Sequence, residues 1–134
     1  MANDEPKQVI VVRKDLNMRR GKQIAQGAHA SMKAILSEGC FMQSLQHSEL
    51  VIPLTRPELQ EWLEGRFTKV CVSVDSEQEL LDIYQQAKDA GLICSLITDA
   101  GLTEFNGVPT NTVVAVGPAY PDDVNKITGH LKLL

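Results

Sequence analysis

The sequence predicts an α/β domain, built as one four-stranded, mostly parallel (mixed) sheet with helices on both faces. Three observations carry that expectation. Short apolar runs with strand character recur along the chain, and segments of helical period with capping signals lie between them. The run Val9-Ile10-Val11-Val12 is continuous and β-branched, as expected of a strand covered on both faces. The 134 residues, 43% apolar and 22% charged, show no internal repeat and no linker, so a single core over residues 1–134 is expected, with 1–6 as a flexible tail.

Each element follows from local chemistry. Val9 to Val12 forms the first strand, and a polar turn runs from Arg13 to Arg20. An amphipathic helix from about Gly21 to Leu36 sets Ile24, Ala25, Ala28, Met32, Ile35 and Leu36 on one side, and Lys22, Gln26, His29 and Lys33 on the other. Residues 37–54 fit a helical extension or a second helix carrying Phe41, Met42 and Leu45. Thr55-Arg56-Pro57-Glu58 has capping-box form and opens a helix that Gly65 stops. Phe67 to Val74 alternates as a strand. Ser76-Glu77-Gln78-Glu79 is a second capping box, opening a helix that ends at Gly91. Leu92–Thr98 and Thr112–Val116 are the remaining strands, separated by the loop Asp99–Asn111; Gly117-Pro118 closes the second. Pro121, Asp122 and Asp123 start a last helix reaching about Gly129, and His130–Leu134 is a short tail.

Composition excludes several classes. No apolar run approaches the roughly 20 residues of a membrane helix, and Met1 to Lys7 is polar, unlike a secretory signal. Cys40, Cys71 and Cys94 show no C-x-x-C spacing, so reduced thiols, a cytoplasmic location and no metal site are expected. The net charge of −4 argues against a generic nucleic-acid binder. That charge is unevenly placed, however. Residues 7–33 hold seven bases and one acid, whereas residues 34–134 hold six bases and fourteen acids. Such a basic stretch is either a solvated face or a focused site for a polyanion.

Ligands of α/β sheets gather beyond the carboxyl ends of strands. Here those ends feed Arg13–Arg20 with the following helix start, and Asp99–Asn111. No G-x-G-x-x-G or Walker loop is present, which disfavours a nucleotide-binding regulator. Lys22 falls in the first helical turn, where ammonium and dipole together would stabilise an anion or a developing oxyanion, unless it is only a solvated lysine. His29 lies two turns on with Gln26 between, a polar stripe able to line a pocket or to serve structure alone. Asp99 can form a turn or orient a water, and Thr103 can position that water or a substrate oxygen. No serine or cysteine has the setting of an activated nucleophile. From these residues alone the reaction stays open.

Three separated motifs add a resemblance. Val11-Val12-Arg13-Lys14-Asp15-Leu16 with Met18-Arg19-Arg20-Gly21-Lys22 and Ala25-Gln26-Gly27-Ala28-His29-Ala30, then Thr98-Asp99-Ala100-Gly101 with Thr103 and the run Thr112 to Pro118, then Ile127-Thr128-Gly129-His130-Leu131-Lys132-Leu133-Leu134 are similar to the archaeal/eukaryotic-type (second type) peptidyl-tRNA hydrolases. The resemblance implies hydrolysis of the ester joining a peptide to the terminal ribose of tRNA, with no cofactor. It implies Lys22, Asp99, Thr103 and His29 as catalytic candidates. Gln26, Arg13, Lys14, Arg19, Arg20 and Gly101 become the substrate-binding ones, with tRNA phosphates meeting the basic loop 13–22. A homodimer is also implied. The chain departs from the family pattern at Leu102 and Glu104, where an arginine and a glutamine are common, and gains a base at Arg19-Arg20. A binding module on the same fold, with little turnover, is the alternative expectation.

Overall fold

The computed structural model describes residues 4–134. Its strands are β1 (Lys7–Arg13), β2 (Cys40–Gln43), β3 (Ser48–Val51), β4 (Lys69–Val74), β5 (Cys94–Asp99), β6 (Thr110–Ala119) and β7 (Lys132–Leu133). The helices are α1 (Arg20–Leu36), α2 (Pro57–Glu64), α3 (Glu77–Asp89) and α4 (Pro121–Thr128).

The main sheet has five strands, not four, in the order β5-β6-β1-β4-β7. The expectation of a mostly parallel sheet is corrected as well: β1 and β4 pair in parallel, while β1–β6, β5–β6 and β4–β7 are antiparallel. No crossover helix separates β5 from β6, so the chain turns back through the loop 100–109 and pairs as a hairpin. The expected C-terminal tail supplies the fifth strand, with Ser73 opposite Lys132 and the Leu134 N–H donating to the Cys71 carbonyl at 3.1 Å. β1, β4 and β5 still point the same way, so their carboxyl ends share one edge of the sheet.

Successive side chains of β1 enter opposite cores, as a period of two requires. Val9 and Val11 join Leu80, Ile83, Val124 and Ile127 on the α3–α4 face. Ile10 and Val12 join Ala30, Ala34, Leu59 and Trp62 on the α1–α2 face. The Ser76 hydroxyl accepts from the Glu79 N–H at 3.1 Å, so that capping box forms. At the other end of α3, Leu92 N–H reaches the Ala87 carbonyl and Gly91 N–H the Lys88 carbonyl; Gly91 supplies the left-handed φ of +71° this closure needs. The Thr55 box does not form: Arg56 occupies the cap position of α2 with no side-chain bond, and Pro57 sets the first turn.

Two further expectations change. Residues 40–51 form a β-hairpin, β2–β3, rather than helix. α1 is also rotated from the face its large apolar residues suggested. Its buried residues are Gln26, Gly27, Ala30, Ala34 and Ile35, whereas Ile24, Ala28 and Met32 are exposed. Small side chains let the helix approach the sheet closely, and bulky ones are left outside. Of the expected tail, residues 1–3 lie outside the described residues; Pro6 is buried and Glu5 pairs with Arg66 at 3.4 Å. Among the described residues no helix is long and apolar enough to cross a membrane.

Candidate active site

The first turn of α1 and the carboxyl end of β5 meet at the shared sheet edge. Lys22 Nζ donates to Asp99 Oδ1 at 2.8 Å and to Thr103 Oγ1 at 2.7 Å. Gln26, one turn further along α1, donates from Nε2 to the same Asp99 oxygen at 3.2 Å. The second carboxylate oxygen, Oδ2, accepts from the Gly101 N–H at 2.8 Å. Both side chains of the ion pair are largely withdrawn from solvent, at 13% exposure each. The bond from Lys22 foremost, with the Gly101 N–H, the Lys22 charge and Gln26, holds the Asp99 carboxyl below the usual carboxylate range against the opposing effect of burial.

The Asp99 geometry is built by its neighbours. Gly101 has φ +84°, and a Cβ there would stand 2.4 Å from the Val108 carbonyl oxygen, so only glycine lets the loop close onto Asp99. Phe105 packs against the α1-side core with its ring 5.7 Å from Lys22 Nζ. The fully buried Thr112 donates a short hydrogen bond to Gln26 Oε1, fixing which end of that amide faces Asp99. Thr112 opens the run that resembles the family but is not among the site candidates read from the sequence. Strict alternation places it opposite Val113, but the β5–β6 register shifts between Ile97 and Thr98, leaving Thr112 as the extra residue of a bulge. A polar residue where a loop becomes a buried strand was the available signal.

The remaining sequence candidates separate into groups. Lys14, Arg19 and Arg20 are exposed beside the site. Arg13 is not available to a phosphate: its guanidinium is nine-tenths buried and bonded to both Asp15 carboxylate oxygens, at 3.1 and 2.7 Å, and to the Asn111 carbonyl at 3.0 Å. It ties the first loop to β6. His29 is exposed on α1 and makes no hydrogen bond to the described residues, so the structure does not join it to the Lys22–Asp99 pair. Glu104 lies at the basic loop, its Oε2 accepting from the Arg19 N–H at 3.4 Å, while Leu102 is exposed. Among the described residues no three His, Cys, Asp or Glu side chains cluster as a metal site requires.

A carboxylate fixed by three donors, an ammonium and a hydroxyl at one sheet edge define the class: a small α/β domain whose polar cluster suits water attack on an electrophilic carbonyl. Residues 6–134 match the family model described as peptidyl-tRNA hydrolase PTH2. A peptidyl-tRNA hydrolase of Methanocaldococcus jannaschii is 43% identical over 128 residues, covering 96% of this chain and 99% of that protein. One from Aeropyrum pernix is 42% identical, covering 99% of each. A probable peptidyl-tRNA hydrolase 2 of Dictyostelium discoideum is 37% identical over 95% of this chain and 54% of its own length. The chain belongs to the PTH2 peptidyl-tRNA hydrolase family.

Proposed function

We propose that the chain hydrolyses, in the cytoplasm, the ester between a peptidyl or N-blocked aminoacyl group and the 3′-terminal ribose of tRNA, using Lys22, Asp99 and Thr103. The observation that carries the assignment of roles is the donor set around Asp99. With three donors holding it and its pKa depressed, Asp99 is a weak base but a well-oriented acceptor for a water proton. An ammonium has three protons. Lys22 commits two of them to Asp99 and Thr103, leaving the third for the ester carbonyl oxygen as it gains negative charge. The water oxygen bonds to the acyl carbon, the bond from that carbon to the ribose oxygen breaks, the ribose oxygen takes one of the water's two protons, and the other passes to solvent. Peptide carboxylate and free tRNA result, without an acyl-enzyme. No proton is routed through His29, which has no hydrogen bond to these groups.

Lys14, Arg19 and Arg20 meet tRNA phosphates in this reading, and Arg13 and Gly101 support the loops that carry the site. A homodimer, implied by the family resemblance, completes it; the exposed apolar side of α1 is consistent with such an assembly. The test is release of peptide from purified peptidyl-tRNA by wild type, Lys22→Ala and Asp99→Asn. Robust wild-type release that both substitutions abolish is expected. Equal rates in all three would instead make the chain a tRNA-binding module.

A further inference from the structure

β5 ends in the carboxylate of the candidate site and is also the outermost strand of the sheet. One side of it pairs with β6; on the other, no strand lies among the described residues. The partners of its backbone groups show which of them face the open side. The Ile93 carbonyl accepts from the Gly117 N–H at 2.7 Å, and the Ile97 carbonyl faces the Thr112 hydroxyl at 3.5 Å, so Ile93, Ser95 and Ile97 turn toward β6. Alternation then turns Cys94, Leu96 and Thr98 outward. The Leu96 carbonyl accordingly accepts from outside the sheet, from Lys33 Nζ at 2.9 Å.

α1 runs antiparallel beside this strand. Lys22 and Gln26 meet Asp99, the Ala30 carbonyl accepts from the Ser95 hydroxyl at 2.7 Å, and Lys33 meets Leu96. The open edge therefore leads from the candidate site along α1 toward Lys33, away from the end of the helix that carries Arg19 and Arg20. An ester of a peptide with tRNA has two halves to place. With the tRNA half at the bases that begin α1, the β5 edge is left for the acyl half. Its six residues span about 16 Å, room for about five residues of an extended peptide. Main-chain pairing at a sheet edge also suits a peptide of no fixed sequence, since it reads no side chain.

We infer that the peptide of the substrate adds to β5 as a parallel strand, its C-terminal ester at Lys22 and Asp99 and its chain running back toward Cys94. This rests on the hydrolase reading above. One peptide residue donates its N–H to the Leu96 carbonyl and accepts from the Thr98 N–H. The residue two before it bonds in the same way to the Cys94 carbonyl and the Leu96 N–H. Lys33 gives up the Leu96 carbonyl as the chain binds, and until then it shields an edge open to stray pairing.

The test is kcat/KM of the full chain on tRNAs carrying N-acetylated peptides of one, three and five neutral residues. A rise of about tenfold or more from one residue to five is expected, carried by KM, because bonds distant from the ester hold substrate and transition state alike. Methylating the amides of the five-residue peptide one at a time should cost about 3- to 10-fold at alternate positions and little between them. Leu96→Pro removes one outward N–H and no bond to β6, as a proline on an edge strand does. Confirmed folded by thermal unfolding, it should cut the gain with peptide length about threefold or more. The same kcat/KM at every length, a methylation profile without alternation, or a folded Leu96→Pro with the full gain overturns the inference and leaves Lys33 as a guard of the edge alone. Failure to hydrolyse any of these substrates overturns the hydrolase reading and the inference with it.

Discussion

Thr112→Val is the sharpest perturbation of the proposed site, because it touches no substrate and removes only the hydroxyl that bonds Gln26 Oε1 and, at 3.5 Å, the Ile97 carbonyl. Thr112 is fully buried and Gln26 is 3% exposed, so water cannot replace the lost hydroxyl. Two outcomes are open to the Gln26 amide. Staying in place, its Oε1 is left buried without a donor, at a cost of about 1–3 kcal/mol in stability. Turning over, it aims Oε1 at Asp99 Oδ1, where Nε2 now donates at 3.2 Å, and removes one of the three donors that hold the carboxylate. A hydrogen bond to a charged group is worth about 1.5–3 kcal/mol. If that much orientation is realised only in the transition state, single-turnover release from peptidyl-tRNA slows about 10- to 100-fold. The KM for tRNA should not move, since the Thr112 hydroxyl bonds Gln26 and the Ile97 carbonyl and none of the exposed bases. The acid limb of the rate profile should move up in pH, because a carboxylate with one donor fewer is protonated more easily. A rate within about twofold of wild type with an unmoved acid limb would refute the reasoning, as those small changes lie below the expected loss. A loss confined to KM would refute it equally.

Other outcomes follow from the same geometry. Because the folded pKa of Asp99 is depressed, activity should persist down to the ordinary aspartate value of about 3.9, with the acid limb below it, and Lys22→Ala should raise that limb in whatever activity remains. By the same sign, the stability Asp99 contributes is fully present above about pH 3.9 and lost as pH falls through its depressed folded value, so acid unfolding of wild type and Asp99→Asn should converge at low pH. His29→Ala should keep the rate within about threefold, against the 100-fold or greater loss expected of a general base; a larger fall would return His29 to the chemistry. Lys14→Ala with Arg19→Ala should lower the log–log salt slope of tRNA binding by about 0.7–0.9 per lost phosphate contact. An unchanged slope would remove those side chains from the interface.

Much of the fold, and the grouping of the candidate site, was legible because local chemistry and tertiary structure agree there. Val9–Val12 reads as a strand covered on both faces and enters two cores. The Ser76 box and Gly91 bound α3 through bonds made within a few residues. Lys22 and Asp99 were recognisable because β1 and β5 both end at the edge where α1 begins, whatever the direction of β6 between them. What was not legible depends on distant partners. The pairing direction of β5 and β6 is not encoded in either strand, and β7 is a strand only because β4 lies beside it. Phe41 and Met42 form an apolar run too short to separate helix from strand by period. For α1, the assumption that large apolar residues face inward fails. Gly27, Ala30 and Ala34 allow close packing, a buried amide is satisfied by Thr112 and Asp99, and Ile24 and Met32 remain outside.

Lys22 and Asp99 are held to act as one unit, each setting the other's charge and position, and a double-mutant cycle measures that directly. Single-turnover release from peptidyl-tRNA would be followed for wild type, Lys22→Ala, Asp99→Asn and the double variant, each confirmed folded by thermal unfolding. Each single substitution should cost about 10²-fold or more, and the double variant should be little slower than the worse single, since removing either partner already dismantles the unit. Losses that multiply in the double variant, or a single variant near the wild-type rate, would contradict the account.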